Sequence, residues 1–569
     1  HILLSQKKSE PSSEETKTSP EKNEPQALPN FRQGDAIVLY ERNGDEDNAT
    51  NKMVFKGNIE FITEEEIGIR LRSTQRNSSV LPPDSLYAIE HDTMDTTFRS
   101  MYQGLSAFAS ATKERRDLLL GQRPPEFDSG LDGHILSATD DFSRVTLKAQ
   151  AAKDYFLLVG PPGTGKTSCA LKKMVETFHR EEQAQILLLS YTNRAVDEIC
   201  KALSSIHPKV DFIRVGSELS CDEAYRDHLI ENELSHCFRR SEVTERISHC
   251  RIFVGTVASI SGKPELFRLK KFDVAIVDEA TQILEPQLLG ILCARSEDGE
   301  NAIGKFILIG DHKQLPAVVL QNTGQSEIYD EELRAIGLKN LKDSLFERLY
   351  RTARTSSTDL LPSVSSSSPK GHRSFDMLCK QGRMHPEVAL FANRAFYEGR
   401  LIPVGLQVET IEGMSRIVFL PSEAEPQGAS AKVNHSEACI TARLAADIYR
   451  QYAGTFESTR TLGIITPYRS QIALIKKEIA MLGIPELNSI LVDTVERFQG
   501  SERDVIIYSF CVNYPYQLRF LSNLTEENGV LIDRKLNVAL TRARKQMFIT
   551  GVSRLLEQNP IYDSLIKLI

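Results

Sequence analysis

The chain has 569 residues, of which 41% are hydrophobic and 26% charged, and its formal net charge is −8. That length exceeds what one hydrophobic core fills, so several domains are expected, and the mild acidity argues against a histone-like coat while leaving room for a local basic channel. No stretch offers the about 18 consecutive apolar residues of a membrane span, and nine scattered cysteines (Cys169, Cys200, Cys221, Cys237, Cys250, Cys293, Cys379, Cys439, Cys511) form no C-x-x-C pair, so buried free thiols in a reducing compartment are expected rather than a zinc or iron–sulfur site.

The chain begins at His1 without a methionine or an apolar leader, as a processed or partial product does. Residues 1–30 are rich in Ser, Glu, Lys and Pro and predict a disordered tail or linker, because they cannot offset their ordering entropy by burial. Short β-branched runs at 36–40, 54–62 and 66–73, separated by polar turns, predict a small antiparallel barrel or curled sheet, assigned as an accessory β-barrel over 31–95. Apolar residues then recur at helical spacing, predicting a helical stalk and connection over 96–144; its basic KERR at 113–116 reads as a solvated face.

From 145 to 350 the texture becomes buried strand, sharp turn, helix. Candidate strands are YFLLVG (155–160), QILLLSY (185–191), DFIRVG (211–216), RIFVGT (251–256), FDVAIVDEA (272–280) and KFILIGD (305–311). Nearly continuous apolar strands are what a parallel sheet covered on both faces requires, so an α/β domain is predicted, with a charged helical insertion at 217–250. A Ser-rich linker or loop over 351–375 precedes a second α/β domain, 376–569, whose strands lie in RTLGIITPY (460–468), NSILVDTV (488–495), DVIIYSF (504–510) and KQMFITG (545–551).

GPPGTGKT at 160–167 stands directly after a strand and before a helical run, the full phosphate-loop pattern in its required context. Gly160, Pro161, Pro162, Gly163, Thr164 and Gly165 make the turn whose N–H groups face the phosphates. Lys166 is assigned to the β- and γ-phosphates, Thr167 to magnesium, and Ser168 continues the wall. The strand ending in Asp278 and Glu279 supplies two adjacent carboxylates: Asp278 for magnesium, with Thr167, and Glu279 for the attacking water. Alone, such a pair serves as well for capping a helix; beside the phosphate loop it reads as ATP and Mg2+ chemistry. Gln314, in GDHKQLP (310–316), is placed to sense the γ-phosphate.

The second domain adds Arg383 in QGRMHPEV (381–388), and Arg542 and Arg544 in LNVALTRARKQ (536–546). An arginine reaching across from a facing domain stabilises the transferring phosphoryl group by about three to five powers of ten. Arg383 and Arg542 are assigned that role; Arg544 is assigned to stabilising the domain or the cleft edge.

The ordered set Gln150, GPPGTGKT, SYTNRAVDEI (190–199), GT (255–256), DEATQ (278–282), GDHKQLP, QGRMHPEV, ITPYRSQ (465–471), TVERFQGSERDVI (494–506) and NVALTRAR (537–544) resembles the superfamily-one helicases of the 5′-to-3′ branch. That branch includes the nonsense-mediated-decay helicase, the immunoglobulin mu-binding helicase, senataxin and the replication nuclease-helicase. The resemblance covers about residues 31–569 and implies tandem RecA-like P-loop NTPase domains with parallel sheets, plus the barrel and stalk. It also implies that Gln150 selects adenine, Glu502 lies near the ribose or the second-domain side of ATP, and Tyr468 or a neighbouring aromatic packs at the nucleotide edge. Thr192, Asn193, Val196, Thr256, Val257, Pro467 and Thr494 are then the nucleic-acid track. Three departures stand out. Gly382 replaces the family's frequent aromatic before Arg383. SFCVN (509–513) lacks the arginine usual after QGxE. Residues 513–531 are unusual; there Tyr514, Tyr516 and Phe520 are expected to anchor a loop, with base stacking the lesser reading.

The expectation is an ATP hydrolase that moves 5′ to 3′ on single-stranded DNA or RNA, with tailed duplexes as further partners. The alternative is a clamp or nucleoprotein remodeller that hydrolyses ATP without separating strands. Neither a compact acidic-Lys site nor clustered cysteines are present, so no strand cleavage is expected from this chain. Accessory proteins or fused domains, function as a monomer, and an intracellular place complete the expectation: cytoplasmic in a bacterial or archaeal-like setting, nuclear in a eukaryotic one.

Overall fold

The computed structural model describes residues 2–5, 31, 34–63, 66–73, 80–92, 96–180, 182–319, 321, 323–356, 360–361, 371–405, 415–426, 430–527 and 529–569. The chain forms two compact units, His1–Arg99 with Ser217–Cys221, and Ser100–Gly216 with Asp222–Ile569.

The first unit is a five-stranded antiparallel sheet of β1 (Ile2–Ser5), β2 (Ala36–Glu41), β3 (Val54–Ile62), β4 (Glu66–Leu71) and β5 (Tyr87–His91), ordered β1-β4-β3-β2-β5. Strand alternation sends Ile37, Leu39, Phe55, Ile59 and Ile69 to one apolar cluster. Of the barrel or curled sheet expected from these runs, the described residues form an open antiparallel sheet with β1 and β5 at its edges. Ile2–Ser5 pair with β4, which corrects the reading of 1–30 as a tail at its first residues; the rest of that segment, 6–30, lies outside the described residues.

The second unit holds two parallel sheets. The first comprises β6 (Tyr155–Val159), β7 (Ile186–Ser190), β8 (Ile213–Val215), β9 (Ile252–Thr256), β10 (Phe272–Val277), β11 (Ile303–Gly310) and β12 (Phe375–Met377), ordered β12-β6-β11-β10-β7-β9-β8. Every neighbouring pair is parallel. Successive residues of β6 feed opposite cores: Tyr155, Leu157 and Val159 join one, Phe156 and Leu158 the other. Helices on both faces therefore explain the unbroken apolar runs. The expected boundary at 376 is corrected, because Phe375–Met377 pairs with β6 and closes the first sheet. Short helices such as Ile230–Glu233 and Arg240–His249 fill the interval between β8 and β9.

After the two-residue strands β13 (Lys380–Gln381) and β14 (Ile402–Pro403), the second sheet comprises β15 (Ile417–Pro421), β16 (Leu462–Ile465), β17 (Leu491–Asp493) and β18 (Arg503–Ser509). A hairpin of β19 (Leu524–Glu527) and β20 (Val530–Asp533) follows, and β21 (Ala543–Gly551) completes the sheet in the order β15-β21-β18-β16-β17. Apolar residues of this lobe likewise divide into two clusters on opposite faces.

The connection between the units' sequences is braced within the second unit. Arg115 of the KERR run is buried, not solvated, and its Nη2 donates to the Ile303 carbonyl at 2.5 Å and the Gly304 carbonyl at 3.1 Å. Glycine at 104 permits a helix-to-helix approach that a side chain forbids, since a Cβ there would lie 2.0 Å from the Pro286 carbonyl oxygen.

Candidate nucleotide site between two lobes

The phosphate loop leaves the C-terminal end of β6 and is stitched to the end of β11 by a Gly160 N–H to Gly310 carbonyl bond of 2.9 Å. Gly163 and Gly165 adopt φ of +74° and +75°, the left-handed region that lets backbone N–H groups curl inward. Thr164 Oγ1 donates to the Pro161 carbonyl at 2.7 Å, closing the turn, while a Cβ on Gly160 would come 2.8 Å from Lys166 Cβ. The loop is thus shaped as a phosphate cradle, and the helical run from Lys166 carries its N-terminal field toward it.

Side chains from the end of β10 meet this cradle. Thr167 Oγ1 donates to Asp278 Oδ2 at 2.5 Å, and Lys166 Nζ pairs with Glu279 Oε1 at 2.7 Å. Glu279 sits at φ +54°, outside the usual range for a side-chain-bearing residue, and Gln282 Nε2 donates to its Oε2 at 3.0 Å. Strain of this kind persists where surrounding contacts hold it. Burial raises the Asp278 carboxyl above its ordinary value. Burial pushes Glu279 the same way, but the Lys166 ammonium outweighs it and holds Glu279 low. Burial also opposes the Lys166 charge, and Glu279 and Asp278 together more than restore it. The adjacent carboxylates are therefore driven apart in proton affinity, Asp278 upward and Glu279 downward.

Magnesium takes oxygen ligands, of which a protein supplies one or two beside water and phosphate. The hydroxyl of Thr167 and carboxylate of Asp278, in contact at the mouth of the cradle, fit that set. The residues present therefore fit Mg2+ and a triphosphate.

The second lobe closes on the same loop. Gly382 N–H donates to the Gly163 carbonyl at 3.0 Å, and a Cβ on Gly163 would lie 2.4 Å from Arg383 Cβ. Arg383 Nε pairs with Glu502 Oε2 at 2.5 Å, and Arg544 Nη1 reaches Glu502 Oε1 at 3.4 Å. Arg542 is 2% exposed; its Nη2 donates across to Gln314 Oε1 at 3.3 Å and its Nε to the Val538 carbonyl at 3.0 Å. Burial, with the Arg383 charge nearby, pulls Arg542 down to about 9.

Behind Gln314 lies a relay that sequence reasoning missed. Gln314 Nε2 donates to Asp311 Oδ2 at 2.8 Å, the Tyr397 hydroxyl donates to the same oxygen at 2.6 Å, and Asn537 Nδ2 donates to the Tyr397 oxygen at 2.9 Å. Asn537 Nδ2 also reaches the Lys313 carbonyl at 2.6 Å. The loop carrying Asp311 and Gln314 is thereby hydrogen-bonded to Tyr397, which ends one helix of the other lobe, and to Asn537 within another. Asp311 and Asn537 both lie inside the recognised GDHKQLP and NVALTRAR strings, so the strings marked the segments while only packing disclosed the pairing.

Several placements correct the sequence reading. Gln150 ends the helix Asp141–Ala151, and its Nε2 donates to Glu182 Oε1 at 3.3 Å. Glu182 lies beyond the far end of the helical run that starts at Lys166, about 20 Å along it at 1.5 Å per residue, so the structure does not bring Gln150 to the cradle. Tyr468 accepts from Gln517 Nε2 at 3.0 Å and belongs to another loop cluster. Val196 and Val257 are buried in the two cores of the first sheet and present no side chain to a strand. Thr192 and Thr256 cap the helices that follow them, through Ala195 N–H at 3.2 Å and Ser259 N–H at 3.0 Å. Asn193, Pro467 and Thr494 are half-buried, and Ser168 is exposed beside Cys169. All nine cysteines are free, but Cys169 is exposed and Cys237, Cys379 and Cys439 are half-buried, which corrects the expectation of buried thiols at those four positions.

A phosphate cradle, a paired hydroxyl and carboxylate, a second carboxylate on the lysine, and arginines from a facing parallel-sheet lobe define a two-lobed P-loop nucleoside-triphosphatase fold. Two family models, each described as an AAA domain, match residues 139–244 with 232–322, and residues 341–554. The chain belongs to the superfamily-one helicase group, in its 5′-to-3′ branch. It is 27% identical over 544 residues to the DNA replication ATP-dependent helicase/nuclease DNA2 of Homo sapiens, covering 86% of this chain and 46% of that protein. It is 26% identical over 567 residues to the DNA replication ATP-dependent helicase/nuclease JHS1 of Arabidopsis thaliana (93% and 38%). The probable helicase MAGATAMA 3 of Arabidopsis thaliana matches at 27% over 433 residues (70% and 47%). The chain spans about half the length of these relatives or less, and their eukaryotic origin lends the bacterial or archaeal expectation no support. Among the described residues no helix is long and apolar enough to cross a membrane.

Proposed function

We propose that this chain is an ATP-dependent motor that moves 5′ to 3′ along single-stranded DNA or RNA. The observation that carries the reading is the contact of both lobes with one loop: Lys166 and Thr167 are held by Glu279 and Asp278 of the first lobe, while Gly382 and Arg383 of the second sit on Gly163. Bound Mg2+ and ATP supply a polarised γ-phosphoryl group. Lys166 neutralises charge on it, Thr167 and Asp278 hold the metal, and Glu279 orients the attacking water. Arg383 and Arg542 stabilise charge developing on the side facing the second lobe. Gln314 exchanges partners between the phosphate and Asp311, and the relay through Tyr397 and Asn537 passes that change to the other lobe.

A grip that differs between open and closed lobes converts this cycle into steps along a strand. Thr192, Asn193, Thr256, Pro467 and Thr494 supply hydroxyls and backbone groups for such a grip without reading sequence. Strand-stimulated hydrolysis and unwinding of duplexes with opposite single-stranded tails, in DNA and in RNA, test the reading. Lys166→Ala should weaken nucleotide binding. Glu279→Gln should bind as the parent does yet turn over about 10²–10⁴-fold more slowly. Turnover by Glu279→Gln equal to the parent's refutes its role, and hydrolysis indifferent to every strand refutes the motor. Stimulation and tight binding without strand separation instead identify a clamp or remodeller.

A further inference from the structure

The segment between β18 and β19 is unusual in sequence, and the structure overturns the assignment of Tyr516 and Phe520 to anchoring, while Tyr514 is half-buried. A short helical turn, Pro515–Gln517, runs into the helix Leu518–Leu521. Leu518 and Leu521 face inward, 8% and 3% exposed, whereas Tyr516 and Phe520 face outward, 54% and 70% exposed. The anchoring is done by the leucines and by Gln517. That buried amide accepts from the Asn513 and Tyr514 N–H groups, each at 2.9 Å, and donates to the Ala431 carbonyl at 2.7 Å.

This fixed base carries its rings as a surface. Tyr514 and Tyr516 stack with centroids 5.7 Å apart and planes 15° from parallel, and Arg519 lies on the adjoining turn. Two observations join the surface to the segments that carry the proposed strand grip on the second lobe. Gln517 Nε2 donates to the Tyr468 hydroxyl at 3.0 Å, next to Pro467. Leu521 lines one small cavity with Pro467 and Val495, the neighbour of Thr494.

Resting on the motor reading, we propose that Tyr514, Tyr516 and Phe520 form a base-stacking platform that extends the track of single-stranded nucleic acid past Pro467 and Thr494. Aromatic faces stack on any base, so such a platform holds without sequence preference, and Arg519 supplies the cation that a neighbouring phosphate requires. The hydrogen-bonded rigidity beneath the rings is what a preorganised binding face needs.

The experiment compares the full chain with its Tyr516→Ala/Phe520→Ala double variant, both residues being surface positions outside the nucleotide site. Strand-free hydrolysis should be unchanged. The concentration of oligothymidylate giving half-maximal stimulation should rise about 10-fold. Replacing the bases by abasic sites should weaken binding to the parent by a similar factor and to the variant by little, which separates base stacking from phosphate contact. A parent that is stimulated, with a variant matching it on both probes, overturns the platform and leaves the motor intact; the face then serves some other partner. A parent that neither binds nor responds to any strand overturns the motor and the platform together.

Discussion

Arg383 packs on the phosphate loop whereas Arg542 bonds the Gln314 side chain, and the way each is held separates their expected phenotypes. Arg542 is 2% exposed and satisfies the Val538 and Ser501 carbonyls as well as Gln314, so its loss leaves buried acceptors unpaired. Arg383 is half-buried and its charge is answered by Glu502. Arg383→Ala should lower kcat by about 10³-fold or more with an unchanged thermal midpoint, whereas Arg542→Ala should lower both. Equal thermal midpoints for the two variants would show that the burial of Arg542 contributes nothing to the fold. Glu437 tests a different effect. It is fully buried, and burial pushes its carboxyl from 4.5 up to about 7 in spite of bonds from Ser509 and the Cys511 N–H. The folded state then binds more protons than the unfolded one between those values, so stability present below the lower value is lost as pH rises through the upper, by about 3 kcal/mol. Glu437→Gln, permanently neutral, should abolish that slope: chemical unfolding at about pH 5 and about pH 8 should separate the parent's midpoints and not the variant's.

At the scale of elements, the phosphate loop and the QGRM turn are a single packed unit, though they belong to different lobes. Gly163 is needed twice over, by its φ of +74° and by Arg383 Cβ, which a new Cβ would meet at 2.4 Å. Gly163→Ala should therefore push Arg383 away and abolish turnover, with the left-handed conformation alone costing about 1–2 kcal/mol. Gly382, where the family often has an aromatic, is not constrained in this way: a Cβ there meets only the Val404 carbonyl oxygen, at 3.6 Å. Gly382→Ala should fold with the parent's midpoint, and a measured loss would mean that this glycine is required by the backbone rather than tolerated by it. The glycines of GPPGTGKT were legible from their string. Which of them bears on the other lobe was not, because that depends on a turn more than two hundred residues away.

Across the whole molecule, the two lobes are also tied through Glu527. Glu527 on β19 receives His312 Nε2 at 2.9 Å and Arg354 Nη1 at 2.5 Å, with Lys313 at 3.7 Å, and a buried pair joins Arg534 to Glu347. Burial would raise Glu527, but His312, Lys313 and Arg354 hold it down at about 2. The tie is complete above the ordinary glutamate value and is lost only as pH falls through the low folded value, so neutral conditions leave it intact. Glu527→Gln should weaken it at neutral pH, where hydrogen exchange in 311–316 and 524–533 should quicken by about 10-fold. Exchange unchanged in both segments would show that the lobes do not depend on this carboxylate.

Much of this architecture could be read in advance, since strand runs and motif strings are local and carry their chemistry with them. The six strands expected in the first lobe and the four in the second are all present; Lys166 meets Glu279, Thr167 meets Asp278, Arg383 pairs with Glu502 and packs on Gly163, and Arg542 bonds Gln314. Local sequence determined which residues could bind a triphosphate, because a strand, a glycine turn and a helix are built from neighbours in the chain. Tertiary structure alone decided the rest. Phe375–Met377 joins the first sheet because an edge of β6 was open to it, Gln150 bonds Glu182 beyond the end of the Lys166 helical run remote from the cradle, and the hairpin bearing Glu527 becomes an inter-lobe tie. Tyr516 and Phe520 lie at the surface because two leucines and a buried glutamine satisfy the interior first. Each of these outcomes turns on packing between distant segments, which spacing along the chain does not encode.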